Sequence, residues 1–187
     1  MDYNQFYLLS DKGSRGALYV LPKTTLEDYK LFRGETELDS PIKFYPNVGE
    51  KAYDLVGSGY AGLDLFSIKI INMLNEQKIS GWKTYPCELY DRGSNMIEGY
   101  FIFSVTGRCS AIDYSKSEKI MIQPYTPQGK PVEGIRGLYF DADSWDGTDI
   151  FTPKNSKLTF VTERVKRLFE KNRFTNIQFK KITEFEH

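Results

Sequence analysis

Displaced by 95 residues, the chain falls on itself without a gap: LDLFSIKIINMLNEQKISGW (Leu63 to Trp82) aligns with LTFVTERVKRLFEKNRFTNI (Leu158 to Ile177). Ser67 meets Thr162, both residue types that cap helix N-termini. Ile70, Met73 and Leu74 meet Val165, Leu168 and Phe169. With Phe66 and Val161 these positions keep the i, i+4, i+7, i+8 spacing of a buried helical stripe. Ile68 and Ile71 give the first helix a second apolar side. Ile79 meets Phe174 just past the helix, and strand-like residues follow in both copies. Any two amphipathic helices resemble one another to some degree, but a shared unit of strand, capped helix, turn and strand explains all these positions together. Two copies are too few for a solenoid. The pattern predicts two amphipathic helices, the second over about Thr162 to Lys171, in pseudo-repeated helix–strand units.

The rest of the chain reads as strands and turns. Asn4 to Ser10 and Ala17 to Leu21 are rich in strand formers and flank the loop DKGSRG, a hairpin signal. Lys43 to Tyr45 and Lys51 to Val56 are short strand candidates among prolines 22, 41 and 46. Trp82 to Tyr90, Met96 to Val105, Lys119 to Gln123 and Gly134 to Phe140 are strand-like, and Asn176 to Ile182 alternates as a half-buried strand does. The expected fold class is α+β, mostly antiparallel sheet with two amphipathic helices. A strand-rich part over 1–56 precedes a region over 57–187 that holds both copies, in one compact body.

Composition narrows the chemistry. With 40% hydrophobic residues among 187, the chain can bury a real core. Lys and Arg balance Asp and Glu at 25 each, so no whole-molecule field draws it to nucleic acid or anionic membrane. The apolar runs are too short to span a bilayer. The opening residues MDYNQFYLLSDKGSRG lack the layout of a secretory signal. Two cysteines, Cys87 and Cys109, make neither a disulfide framework nor a zinc site, and the expected compartment is the reducing cytoplasm. His187 is the only histidine, which disfavours triads and histidine metal sites.

Four features are candidates for chemistry or binding. Gly57, Gly59 and Gly62 spell G-x-G-x-x-G after a strand candidate and before a helix, the context of a dinucleotide-binding turn. Leu63 to Phe66 separate the motif from the Ser67 cap, however, and a simple glycine loop also explains it. The run Asp141-Ala142-Asp143-Ser144-Trp145-Asp146-Gly147-Thr148-Asp149 is the densest in acid. It fails as an EF-hand, because Asp146 and Thr152 stand where glycine and glutamate are needed. It reads as a solvated turn, as acidic groups around an aromatic anchor suited to a basic cleft, or as an irregular calcium loop. Lys154 to Lys181 carries nine Lys or Arg against two Glu, with Arg164, Lys166, Arg167, Lys171 and Arg173 on or beside the second helix. Without a nucleic-acid motif, that stripe reads as a solvated face. The 28 Phe, Tyr and Trp residues pack sheets, and any exposed tyrosines suit a protein-binding face.

The chain also shows a run of short motifs in fixed order: Ile79-Ser80-Gly81-Trp82, Tyr85-Pro86-Cys87, Tyr100-Phe101-Ile102-Phe103 and Ala111-Ile112-Asp113-Tyr114-Ser115. Gly137-Leu138-Tyr139-Phe140-Asp141, Asp149-Ile150-Phe151 and Thr159-Phe160-Val161-Thr162 follow. In these, over Leu55 to Ile182, it resembles the immunity proteins of bacterial polymorphic toxin systems, in particular a formerly uncharacterised family that includes the myxobacterial immunity protein. The resemblance implies a cytoplasmic, non-catalytic protein that binds and blocks a cognate toxin domain. It supplies no catalytic residue, and no cofactor or metal is expected. For the toxin-facing surface the residues themselves nominate Asp141, Asp143, Trp145, Asp146 and Asp149. The alternative is a nucleotide-binding protein or enzyme using the glycine loop over 57–62.

Overall fold

The computed structural model describes residues 1–187 except Tyr125 and Pro127. Its strands are β1 (Phe6–Asp11), β2 (Tyr19–Pro22), β3 (Ile42–Val48), β4 (Leu55–Ser58), β5 (Leu65–Ser67), β6 (Trp82–Tyr90) and β7 (Met96–Ile97). They continue as β8 (Tyr100–Val105), β9 (Gly107–Cys109), β10 (Glu118–Ile122), β11 (Val132–Arg136), β12 (Ile150–Pro153), β13 (Thr159–Thr162) and β14 (Ile177–Lys181). Among the described residues three short α-helices interrupt them: α1 (Asp28–Phe32), α2 (Ile68–Glu76) and α3 (Glu163–Asn172).

Six strands close into a barrel in the order β3-β2-β4-β5-β8-β6, and β3 returns to β6 to complete the ring. Closure rests on a parallel pairing, Ile42 opposite Cys87 and Phe44 opposite Leu89. A second parallel pairing joins β2 to β4. Closing the ring removes the exposed edges that an open sheet would present. A separate five-stranded sheet runs β14-β1-β13-β12-β9 and stays open, and β10 and β11 form a hairpin of their own.

This overturns the expected α+β fold of pseudo-repeated helix–strand units. The molecule is mostly β, and helices of nine and ten residues ride on the sheets rather than organise them. The helical periodicity is real, since α2 buries Ile70, Ile71, Met73 and Leu74 and α3 buries Val165 and Phe169. What periodicity omits is the pairing of distant strands, and that pairing makes the barrel. The expected caps also work differently. Neither Ser67 nor Thr162 caps its helix through the side chain. Ser67 Oγ instead donates to Asp54 Oδ1 (3.0 Å) and Thr162 Oγ1 to Asp149 Oδ1 (3.4 Å).

The open sheet separates two cores by the period of two that a strand imposes. Along β1, Tyr7 and Leu9 face the larger core, which also takes Val20, Phe44, Leu65 and Ile102 from the barrel. Phe6 and Leu8 point the other way, into a smaller core with Phe140, Phe151, Phe160 and Ile182. Phe6 meets Phe151 edge to face at 5.5 Å, and Phe151 meets Phe160 at 5.7 Å, the geometry the ring quadrupoles favour.

Candidate functional site

Where the barrel meets the open sheet lies a cavity of about 510 Å3. One wall is the second half of β1 (Leu8 to Asp11), and another is Tyr19 of β2 with Gly57 and Ser58 of β4. Tyr60 to Asp64 and Ser156 to Thr159 complete the rim with Tyr114, Leu138, Phe185 and His187. The lining positions on β1, β2, β4 and β13 are fixed by ladder hydrogen bonds, and the other lining residues lie on loops and turns. Gly57 has no room for a side chain: a Cβ there would stand 2.8 Å from Asp11 Oδ2 and 3.0 Å from the Tyr19 ring. The bare backbone lets the Asp11 carboxylate and the Tyr19 ring pack against β4.

Asp64 is half-buried on the wall. Loss of hydration, with a further push from the Asp11 carboxylate, raises its pKa to about 7. Tyr19 is raised too, by burial first and then by Asp64 and Asp11. Lys157 also lines the cavity, but its Nζ pairs with Asp28.

The glycine motif therefore does take part in a cavity, but not as a dinucleotide-binding turn. Gly57 lies within β4, and the segment after Gly62 enters strand β5. Helix α2 starts only at Ile68, so no helix N-terminus faces the glycines as a pyrophosphate would need.

The acidic run folds into a short 3-10 turn over Ala142–Ser144 and a tight loop. Asp141 Oδ1 accepts from the Asp143 backbone N–H (3.2 Å). Asp146 accepts from the Arg108 N–H (2.7 Å) and from the N–H and Oγ1 of Thr148 (3.1 and 2.6 Å). Asp149 faces inward, accepting from the N–H and Oγ of Ser80 (3.1 and 3.2 Å). Trp145 is half-buried: it packs edge to face on Phe6 at 5.1 Å, and its Nε1 donates to the Thr148 carbonyl (3.1 Å). Asp141, Asp143 and Asp146 remain exposed. The structure thus brings the five nominated residues into one ordered loop, with Trp145 and Asp149 turned to its underside and three acids outward.

Two of the basic residues on α3 are matched within the helix. Arg167 pairs with Glu163 and Lys166 with Glu170, each at 2.9 Å. Arg164 Nη2 donates to the Gln77 carbonyl (2.5 Å), and its Nη1 lies 3.4 Å from Asp149. Both cysteines are free, and burial pushes each thiol up to about 12, far from a reactive thiolate. Among the described residues no three His, Cys, Asp or Glu side chains cluster to hold a metal ion, and no helix is long and apolar enough to cross a membrane.

Sequence reasoning missed Asp11, Asp64 and Tyr19. They are scattered along the chain and share no spacing, and only the glycine at position 57 hinted at a crowded backbone there.

A family model, Immunity protein family (Imm11), matches residues 13–184. The chain belongs to the Imm11 immunity protein family. The match begins well before Leu55, so most of the strand-rich N-terminal part lies inside the family's extent. That agrees with the topology, since β2, β3 and β4 supply half of the closed ring. No curated protein matches the chain.

Proposed function

We propose that this chain neutralises a cognate toxin domain of a polymorphic toxin system by binding it in the cytoplasm, covering its active cleft by steric and electrostatic means without chemistry of its own. The family match over residues 13–184 carries this reading. The acidic loop supports the electrostatic part. Asp141, Asp143 and Asp146 stand exposed on a loop already ordered by its own hydrogen bonds and pinned from below by Trp145. A pre-ordered loop loses little entropy on binding, and its charges favour a basic surface.

The test is rescue. The C-terminal domain of the protein encoded by the flanking open reading frame, whichever that proves to be, is expressed in a bacterium with and without this chain. Restored growth and a co-purifying complex are expected. A toxic neighbour that is neither rescued nor bound refutes the pairing. Replacing Asp141, Asp143 and Asp146 together by Asn should weaken the complex at least ~10-fold at low salt, less at high salt. An unchanged affinity removes the loop from the contact surface.

A further inference from the structure

The cavity between barrel and open sheet holds two carboxyl groups, Asp11 and Asp64, that no cation among the described residues pairs with. Neither Asp11 nor Asp64 forms an ion pair among the described residues. Asp11 Oδ1 accepts from the Gly13 N–H at 2.5 Å, while Oδ2 lies over the bare Gly57 backbone. The half-buried Asp64 carboxylate accepts no hydrogen bond from a described residue. Of the basic side chains on the wall, Lys157 is held by Asp28, and His187 is exposed at the rim. A carboxylate withdrawn from water without a partner costs free energy that an arriving cation would recover.

The remaining surface narrows the kind of cation. Leu8, Leu9, Leu138, Leu158 and Phe185 line the interior and suit an aliphatic stem. Tyr19 and Tyr114 are exposed at the mouth, so the cavity opens outward and offers aromatic faces to a positive group. Its volume of about 510 Å3 takes a long side chain with part of the backbone that bears it. Two carboxylates and a few hydroxyls fall short of the six to eight oxygens that calcium takes, and the carboxylates disfavour an anion while Lys157 is already paired with Asp28.

We propose that this cavity receives an arginine or lysine side chain projecting from the toxin domain, its cationic head between Asp11 and Asp64 and its stem against the leucines. The inference rests on the immunity reading and names one contact of that complex. Seating the cation relieves the repulsion between the two acids and brings Asp64 back toward an ordinary carboxylate pKa. Asp11 lies on β1, and the Asp64 backbone carbonyl accepts from the Phe103 N–H (2.9 Å), so both carboxyl groups are positioned before the partner arrives.

The test uses the full chain in two arms. In the first, agmatine, a guanidinium on a four-carbon stem that ends in an ammonium, is titrated to ~10 mM, enough to detect millimolar binding. Amide shifts at Gly57, Ser58 and Asp64 are expected in an NMR spectrum. They should vanish in the Asp11→Asn, Asp64→Asn double variant and with N-butylurea, which has similar shape and no charge. In the second arm, the same double variant is measured against the toxin domain. Its affinity should fall at least ~10-fold, the usual consequence of unpairing a buried charge. Asparagine is isosteric, and removing two repelling acids should leave the melting temperature at pH 8 no lower than wild type, which separates lost contact from misfolding. Absence of any agmatine response overturns the site. An agmatine response with unchanged toxin affinity assigns the cavity to a free small cation and overturns the partner's side chain as occupant. Wild-type chain that neither rescues nor binds is instead the failure of the immunity reading, and with it of the proposed occupant, while the agmatine arm still reports on the cavity's chemistry.

Discussion

The barrel strands β6-β8-β5-β4-β2 and the open-sheet strands β14-β1-β13-β12-β9 follow one pattern of pairing: three antiparallel steps, then one parallel. Hydrogen bonds at the junction between them repeat as well. Asp54 accepts from the N–H and Oγ1 of Thr175 (2.9 and 2.7 Å), and Asp149 accepts from the N–H and Oγ of Ser80 (3.1 and 3.2 Å). Each aspartate thus clamps the turn that follows the other sheet's helix. Both helices end on a non-glycine residue with positive φ, Lys78 at 50° and Arg173 at 55°. The likeness is one of strands and clamps, with the helices as riders.

The difference lies in β3. It pairs antiparallel with β2 on one side and parallel with β6 on the other, bridging the two ends of the first sheet. The open sheet has no strand in that role between β9 and β14. It therefore covers its second face with the segments bearing Leu138, Phe140 and Ile182, which form the smaller core. The same five-strand plan becomes a barrel or a covered sheet according to whether a sixth strand is supplied.

The largest expected effect falls where the two junctions differ. Gly81 has φ +90, and a Cβ there would stand 1.9 Å from the Ile150 carbonyl oxygen. Its counterpart Asn176 has φ 62 and uses its side chain, donating to the Leu55 carbonyl (2.9 Å) and accepting from the Ser14 N–H (2.8 Å). Gly81→Ala should cost more than ~4 kcal/mol, because strain and clash act together. Asn176→Ala should cost ~2 kcal/mol from lost buried hydrogen bonds. Urea denaturation measures both, and equal costs would break the distinction.

Next comes the acid between the sheets. Below the ordinary value of 3.8, Asp64 is protonated folded and unfolded, and contributes nothing. Between 3.8 and about 7 the unfolded chain gives up this proton first, so stability falls as pH rises, and above about 7 the penalty is constant. Asp64→Asn should therefore stabilise the protein at pH 8 by up to ~4 kcal/mol and leave it unchanged at pH 3. Thermal melts across that range decide it; a gain at pH 3 equal to that at pH 8 would refute the ionisation account.

The two clamps should behave alike. Asp54→Ala and Asp149→Ala are each expected to cost ~2 kcal/mol, since each removes charge-assisted hydrogen bonds to two backbone-anchored groups. A toxin affinity lost on Asp149→Ala without matching destabilisation would move that residue from clamp to contact. Smallest is Arg164→Ala, expected to change stability by less than ~0.5 kcal/mol, as exposed ion pairs do. A loss above ~1.5 kcal/mol would mean that its bond to the Gln77 carbonyl ties the two helices together.

Much of the local structure was legible. The stripe of Ile70, Met73 and Leu74 and that of Val165 and Phe169 are buried on the helices their spacing predicts, because periodicity records which side of an element faces the core. Ordered motifs such as Tyr100-Phe101-Ile102-Phe103 carried the family resemblance, and a single terminal histidine disfavoured imidazole chemistry before any fold was known. The tertiary structure alone decided that β3 would join β6, that Trp145 would turn onto Phe6, and that Asp11 and Asp64 would share a cavity with Tyr19. A residue's type and neighbours set its local preference. Strand partners, loop direction and the company of a carboxylate come instead from minimising the free energy of the whole chain, where residues far apart in sequence compete for the same edge or face.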